Sequence, residues 1–231
     1  MQNNSLQVSK PGTLYIVATP IGDWKDITLR ALEILKSVDA VVCEEARVGS
    51  TLLKKLGIEP KELILLNEHN EKEKSLDLIT RFWQGQNLAL ISDAGTPLFA
   101  DPGVEIVSLA VNSGIRVIPI PGPSSLTAFL SVLDQKLEKF LFAGFLARDP
   151  HKRKSTLTEL KSHRMPIILM DTPYRLRALL EDIRTVFGKG QKVTLGCDLT
   201  LPGELILRGG VAEILQRIGD RKAEFILLIH Q

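Results

Sequence analysis

The segment that most constrains this chain is residues 87–103, where a short apolar run meets a loop of small and rigid residues. Residues 88–91, Leu-Ala-Leu-Ile, have the length and composition of a buried parallel strand. The Ser-Asp-Ala-Gly-Thr-Pro that follows interrupts any regular element. A helix is predicted at residues 104–111, with Asp101 as its N-cap and Pro102 at its first position. The pattern places a polar loop at the carboxyl end of a strand, where open α/β sheets bind ligands.

The first half of the chain alternates apolar runs with amphipathic segments of helical length, which is typical of right-handed βαβ units and a parallel sheet. Strands are predicted at residues 13–19, 40–43, 62–66, 88–91 and 115–120. The polar segments that follow these strands should converge at one edge of the sheet. They are residues 19–23, 44–47, 67–70, 92–97 and 121–125. Capped turns are the alternative for any one segment, but the convergence of five favours a ligand site.

Beyond residue 135 the pattern changes, because neighbouring strands occur without a helix between them. Strands are predicted at residues 140–145, 167–170, 192–199, 204–208 and 224–230, with a hairpin turn at Pro202-Gly203. This pattern predicts a mixed sheet. We therefore expect two α/β domains, joined at a proline-rich turn that also faces the ligand. The expected boundaries are a flexible N-terminus at 1–11, a parallel-sheet domain at 12–121 and a mixed-sheet domain at 122–231.

Composition excludes several other classes of protein. The net charge of +2 gives no global basic field, although a local basic site is compatible with it. Cys43 and Cys197 lie in apolar runs and are expected to be core residues, and the four histidines have no ligand spacing, so no metal site is predicted. No Gly-x-Gly-x-x-Gly, phosphate loop or nucleophile elbow is present. Without a signal-like N-terminus or a membrane-length apolar run, we expect a soluble cytoplasmic protein.

Four motifs in the first half together resemble those of the tetrapyrrole methylase superfamily. They are Gly-Thr-Leu-Tyr-Ile-Val-Ala-Thr-Pro-Ile-Gly-Asp at 12–23, Asp-Ile-Thr-Leu-Arg-Ala-Leu at 26–32, Ser-Asp-Ala-Gly-Thr-Pro at 92–97 with Asp-Pro-Gly at 101–103, and Pro-Ile-Pro-Gly-Pro at 119–123. The branch with the greatest resemblance is the small-subunit ribosomal RNA 2′-O-ribose (cytidine) methyltransferases. The resemblance implies a two-domain class III methyltransferase fold, S-adenosylmethionine in the cleft between the domains, and a homodimer.

The resemblance also implies roles for individual residues. The expected cofactor-binding residues are Pro20, Ile21, Gly22, Ser92, Asp93, Ala94, Gly95, Thr96, Pro97, Leu98, Pro121, Gly122, Ser124 and Met170. A ribose hydroxyl benefits from a nearby base, so Glu44 or Glu45 is expected to be catalytic, with Arg47 as an orienting partner. The alternative is that these acids only cap the helix that follows. Lys152, Arg153 and Arg175 are expected to contact the RNA substrate, although a solvated helix face is the other interpretation of the basic segment.

The second half departs from the family pattern. The branch's Arg-Glu-Leu-Thr-Lys reads Cys-Asp-Leu-Thr-Leu at residues 197–201, and the helical extension after its last strand is not seen here. These losses favour a different acceptor, either a small molecule or another RNA. The basic segment at residues 152–164 favours ribosomal RNA. A protein that binds S-adenosylmethionine without transferring the methyl group is the third hypothesis, and the sequence leaves all three open.

Overall fold

The computed structural model describes residues 10–99 and 101–231. The chain divides into a first unit that ends at Ser124 and a second that starts at Ser125. The expected flexible segment, residues 1–11, lies almost entirely outside the described residues. The domain boundary expected between residues 121 and 122 stays a prediction.

The first unit is a five-stranded parallel sheet with helices on both faces. Its strands are β1 (Thr13–Val17), β2 (Ala40–Cys43), β3 (Glu62–Leu65), β4 (Leu88–Ile91) and β5 (Arg116–Ile120), in the order β3-β2-β4-β1-β5. Its helices are α1 (Leu29–Ser37), α2 (Ala46–Lys55), α3 (Glu71–Trp83) and α4 (Val104–Asn112), with a 3₁₀ turn at Trp24–Asp26. The parallel sheet predicted from the alternating pattern is confirmed.

The apolar run of β4 forms a strand because both of its faces are covered. Leu88 and Leu90 pack in a cluster with Phe82 of α3, whereas Ala89 and Ile91 pack in the cluster on the opposite face. All four residues are buried. A strand buried on both faces reads as a continuous apolar run, which explains the pattern in the sequence. This packing holds the loop after β4 at the carboxyl edge of the sheet.

The start of α4 differs from the prediction. The N-cap is Gly103, at φ 128°, and neither Asp101 nor Pro102 occupies the predicted position. Glu71 of α3 provides the cap instead, since its Oε1 accepts hydrogen bonds from the backbone N–H groups of Gly103 (2.9 Å) and Glu105 (2.8 Å). The cap comes from a residue 32 positions away, so local spacing did not reveal it.

The second unit contains a mixed sheet, as predicted. Its strands are β6 (Leu141–Gly144), β7 (Ile167–Asp171), β8 (Lys192–Cys197), β9 (Leu205–Gly210) and β10 (Phe225–Ile229), in the order β6-β7-β10-β8-β9. Only the β6–β7 pair is parallel among these described strands. The hairpin predicted at Pro202-Gly203 is the β8–β9 connection. The helices are α5 (Ser125–Ser131), α6 (Pro150–Ser162), α7 (Leu176–Phe187) and α8 (Val211–Ile218).

Both cysteines are core residues, as expected. Cys43 and Cys197 are free and buried, and burial raises the pKa of each thiol to about 11. Over residues 10–99 and 101–231, the helices include none with the length and apolar character needed to cross a membrane. The same residues contain no group of three or more histidines, cysteines and carboxylates that could hold a metal ion.

Candidate active site

Hydrogen bonds tie together the loops that follow β1, β4 and β5. The backbone N–H of Thr19 donates to the Gly95 carbonyl at 2.8 Å, and the Gly95 N–H donates back at 3.1 Å. The Thr19 hydroxyl donates to the Ser92 carbonyl at 3.0 Å. The hydroxyl of Thr96 donates to the Pro123 carbonyl at 3.1 Å. Three of the five polar segments predicted to converge are therefore in contact at the carboxyl edge of the parallel sheet.

Two glycines allow these loops to approach closely. Gly95 has φ +88°, and a Cβ there would lie 3.2 Å from Cγ2 of Ile21. A Cβ on Gly122 would lie 3.1 Å from the Cβ of Ala18 and 3.5 Å from its carbonyl oxygen. Ala94 and Thr96, on either side of Gly95, are exposed. The loop after β4 therefore presents exposed residues beside a tightly packed turn.

A cluster of carboxylates lies at the same edge of the sheet. Burial raises the pKa of Glu44, and the negative charges of Asp93, Glu45 and Glu68 add to the increase. The pKa of Asp93 is raised mainly by burial and then by Glu45. Burial, with the charges of Glu44 and Asp93, raises the pKa of Asp101 to about 6. Because Glu68 follows β3, the carboxylates come from the ends of three different strands.

Asp93 is distinctive within the carboxylate cluster. Its Oδ1 atom is buried and has no hydrogen-bond partner in the described part of the chain. A buried acceptor without a partner costs on the order of 1–3 kcal/mol. Such a cost is common where a ligand supplies the missing hydrogen bond, so Asp93 marks this edge as a binding site.

Glu45 and Arg47 lie at the start of α2. Glu45 occupies the N-cap position, but its side chain accepts no capping hydrogen bond. This geometry weakens the alternative that the acids serve only to cap the helix. Arg47 is exposed, and within the described ranges its guanidinium forms an ion pair with neither Glu44 nor Glu45. The orienting role predicted for Arg47 stays a prediction.

The residues predicted to contact RNA in the second unit have different environments. Arg153 is only 5% exposed, and its Nε donates to Oδ2 of Asp182 at 2.7 Å. Arg175 pairs with Asp171 at 3.1 Å and donates to the carbonyl of Leu146 at 2.8 Å. The ammonium of Lys152 is exposed, with no ion pair to any residue that the structure describes. Lys152 is therefore the member of this group that is most available to a phosphate.

Met170, which is predicted to bind the cofactor, and Arg221, which lies near the divergent segment at residues 197–201, are both in the second unit. Met170 lies on β7, and the Ser125 hydroxyl is 3.8 Å from its sulfur. Arg221, which the sequence reasoning did not select, pairs with Asp198 at 2.7 Å. A cation therefore lies beside the 197–201 segment although Cys197 and Leu201 replace the family's arginine and lysine. In the sequence, the basic residues Arg221 and Lys222 before the last strand were the signal that could have predicted this cation.

The family model of the tetrapyrrole (corrin/porphyrin) methylases matches residues 13–215. This chain belongs to that family. The match includes every strand of the first unit and continues through α7 and most of α8.

Named relatives of this methylase cover almost all of its length. Ribosomal RNA small subunit methyltransferase I of Xylella fastidiosa is 40% identical over 226 residues, which are 96% of this chain and 82% of that protein. The enzyme of the same name from Escherichia coli O157:H7 is 37% identical over 233 residues, covering 99% of this chain and 81% of that protein. The methylase described here is therefore a methyltransferase.

Solved structures of the family share the fold. A cobalt precorrin-4 methyltransferase superimposes with a TM-score of 0.69 at 21% identity, covering 94% of both chains. Uroporphyrin-III-C-methyltransferase from Thermus thermophilus gives a TM-score of 0.67 at 19% identity, covering 95% of this chain and 94% of that one. The class III methyltransferase fold that the resemblance implied is confirmed.

Proposed function

We propose that this methyltransferase transfers a methyl group from S-adenosylmethionine to a ribose 2′-hydroxyl in the RNA of the small ribosomal subunit. The observation that carries the proposal is the 37% identity to a ribosomal RNA methyltransferase over 99% of the chain. That similarity includes the second half, where the substitutions at Cys197 and Leu201 favoured another acceptor. Arg221 supplies a cation beside that segment, so the substitutions alone do not outweigh the similarity.

The loops of the first unit fit the proposed donor. S-adenosylmethionine supplies a methyl group bound to a positively charged sulfonium. The carboxylate cluster around Asp93 offers negative potential to that charge, and Asp93 Oδ1 lacks a partner. Ala94 and Thr96 are exposed residues, and their N–H and C=O groups are the proposed partners for the polar ends of the donor. The first-unit residues proposed to bind it are Pro20, Ile21, Gly22, Ser92 to Leu98, Pro121, Gly122 and Ser124.

Glu44 is the stronger of the two candidates for the base. Its pKa is raised by burial and by three neighbouring carboxylates, which makes its carboxylate a better proton acceptor. Glu45, by contrast, is exposed to solvent. In the proposed reaction Glu44 accepts the proton of the ribose hydroxyl as the oxygen bonds to the methyl carbon and the sulfur–methyl bond breaks, so that neutral S-adenosylhomocysteine leaves. The hydrogen-bonded loops after β1, β4 and β5 are proposed to align the reacting groups, which lowers the rest of the reaction barrier.

Incubation of the protein with unmethylated small ribosomal subunits and labelled donor tests the function, with the methyl group located by mass spectrometry of the RNA. Label on a ribose oxygen is the expected result. Glu44→Gln should lower kcat by about 10²- to 10⁴-fold, and Glu45→Gln should lower it much less. Donor affinity by calorimetry should change much less than kcat in the Glu44 variant, because Asp93 keeps its charge, and should change little in the Glu45 variant. A label found on a base, or in no RNA at all, contradicts the proposal.

The cellular setting and assembly belong to the same proposal. We expect a cytoplasmic enzyme because the proposed substrate is ribosomal, and a homodimer because the family resemblance implies one. Sedimentation equilibrium tests the dimer, because a monomer of 25.6 kDa at micromolar concentration would contradict it.

A further inference from the structure

A groove of about 440 Å³ opens beside the loop that follows β1. One wall is the segment from Thr19 to Trp24, and the other wall is a face of α2. We call it the Trp24 groove and define it by Pro20, Trp24, Glu45, Arg47, Lys55 and Asp93. All of its walls belong to the first unit. Its volume is within the range of clefts that hold small ligands.

The α2 wall of the groove carries two available cations. Arg47, Thr51 and Lys55 recur every four residues, so they share one face of the helix. The Thr51 hydroxyl donates to the Arg47 carbonyl at 2.7 Å, which fixes that side chain against the helix. Arg47 and Lys55 are exposed, and across the described ranges neither forms an ion pair. Both positive charges are therefore free to bind an anionic ligand.

The opposite wall presents an exposed aromatic ring. Trp24 begins the 3₁₀ turn and retains 42% of its surface in solvent. Asp23 stabilises this turn, because its side chain accepts a hydrogen bond from the Lys25 backbone N–H at 3.0 Å. The Lys25 ammonium lies 6.0 Å from the centre of the Trp24 ring. The Trp24 indole is held in a short capped turn beside the Lys25 ammonium, and its exposed surface can stack against a base.

We propose that the Trp24 groove binds a nucleotide of the acceptor RNA, with its base stacked on Trp24 and its backbone phosphates held by Arg47 and Lys55. Aromatic rings beside a cationic track are how proteins bind single-stranded nucleic acid. The carboxylate of Glu45 also lines the groove and can accept a hydrogen bond from a sugar hydroxyl, whereas Asp93, which also lines it, is the residue that the groove shares with the proposed donor site. The inference rests on the proposed function and adds to it which part of this chain binds the acceptor RNA.

Paired tryptophan variants test the stacking. Trp24→Ala is compared with Trp83→Ala, because Trp83 is 48% exposed on α3 of the same unit but lies outside the groove. Stacking is worth about 1–3 kcal/mol per base, so Trp24→Ala should raise the KM for unmethylated small subunits roughly 5- to 100-fold. Trp83→Ala should change it less than about twofold, and donor affinity by calorimetry should be unchanged in both. Circular dichroism melts confirm that both variants fold.

Paired lysine variants test the phosphate contact. Lys55→Gln is compared with Lys54→Gln, which removes the same charge from the adjacent position outside the groove. The probe is a fluorescent single-stranded oligoribonucleotide, and the measurement is its affinity as a function of salt concentration. Lys55→Gln should reduce the salt slope by about 0.7 for the lost contact, and Lys54→Gln should leave it unchanged.

The outcomes separate this inference from the proposed function. If the wild type methylates the subunits but both tryptophan variants behave alike, the groove assignment is wrong. Weaker donor binding by Trp24→Ala would assign the groove to the donor and overturn the inference as well. If the wild type methylates no RNA, the proposed function fails. The oligoribonucleotide then decides the groove by itself: a salt slope reduced only in Lys55→Gln supports it, and equal slopes overturn it.

Discussion

The buried ion pair between Arg153 and Asp182 allows a quantitative test of whether Arg153, in the basic segment at residues 152–164, stabilises the fold or binds RNA. Both side chains are almost inaccessible, at 6% and 9% exposure, and they connect α6 to α7 at 2.6 Å. Arg153→Met keeps most of the apolar stem and removes the charge. Among the residues that the structure describes, Lys154, at 3.4 Å, is then the remaining ion-pair partner of the buried Asp182 carboxylate. Breaking a buried pair costs about 3–5 kcal/mol, and the remaining lysine favours the lower end, about 3 kcal/mol.

Urea denaturation measures this loss in the second unit. With a slope of about 1.5 kcal/mol per molar, the midpoint should fall by about 2 M. Hydrogen exchange of peptides from β7, β8 and β10 restricts the measurement to the second unit, because two units need not unfold together. Arg153→Met/Asp182→Leu should recover most of the stability, since it removes both buried charges.

Lys152→Gln is the matched control for Arg153→Met. Lys152 is exposed, so its replacement should change stability by no more than about 0.5 kcal/mol, while reducing the salt slope of RNA binding. Arg153→Met should instead lower the stability and leave the salt slope of RNA binding unchanged. A stability change below about 1 kcal/mol in Arg153→Met, together with a smaller salt slope, would refute the structural role and return Arg153 to the RNA-binding residues.

Three further predictions concern the first unit. The Asp101 pKa of about 6 means that the folded carboxyl keeps its proton between about pH 4 and pH 6, where the unfolded one has lost it, so stability falls as pH rises through that window. Asp101→Asn should reduce the fall in urea titrations, with Glu44 and Asp93, whose pKa values are also raised, contributing the remainder, and an unchanged slope would count against the carboxylate cluster. Glu71→Ala should cost about 1 kcal/mol and speed hydrogen exchange at Glu105, because α4 loses its cap; unaltered exchange would contradict this. Gly95→Ala should cost about 1–2 kcal/mol at φ +88° and weaken donor binding in calorimetry, and an unchanged affinity would remove the loop after β4 from the donor site.

Patterns local to the chain were sufficient to predict the architecture. The apolar runs at residues 88–91 and 40–43 became buried strands, because a strand covered on both faces needs no polar residue. Strands without intervening helices correctly predicted the mixed sheet, and Pro202-Gly203 correctly predicted its hairpin. Family motifs over residues 12–123 predicted the classification, because many of their positions lie in the loops that follow strands, where the backbone conformation restricts which residues are allowed.

The tertiary structure decided what each charged side chain does. Asp101 was expected to cap α4, yet Glu71 caps it, and Asp101 instead joins the carboxylate cluster. Arg153 lies in a run of basic residues that looks uniformly solvated, yet it is buried against Asp182, 29 positions away. Glu44 acquires its raised pKa from burial and from carboxylates on other loops. Capping, ion pairing and pKa depend on distances of a few ångströms through space, and those distances exist only after residues far apart in the chain are packed together.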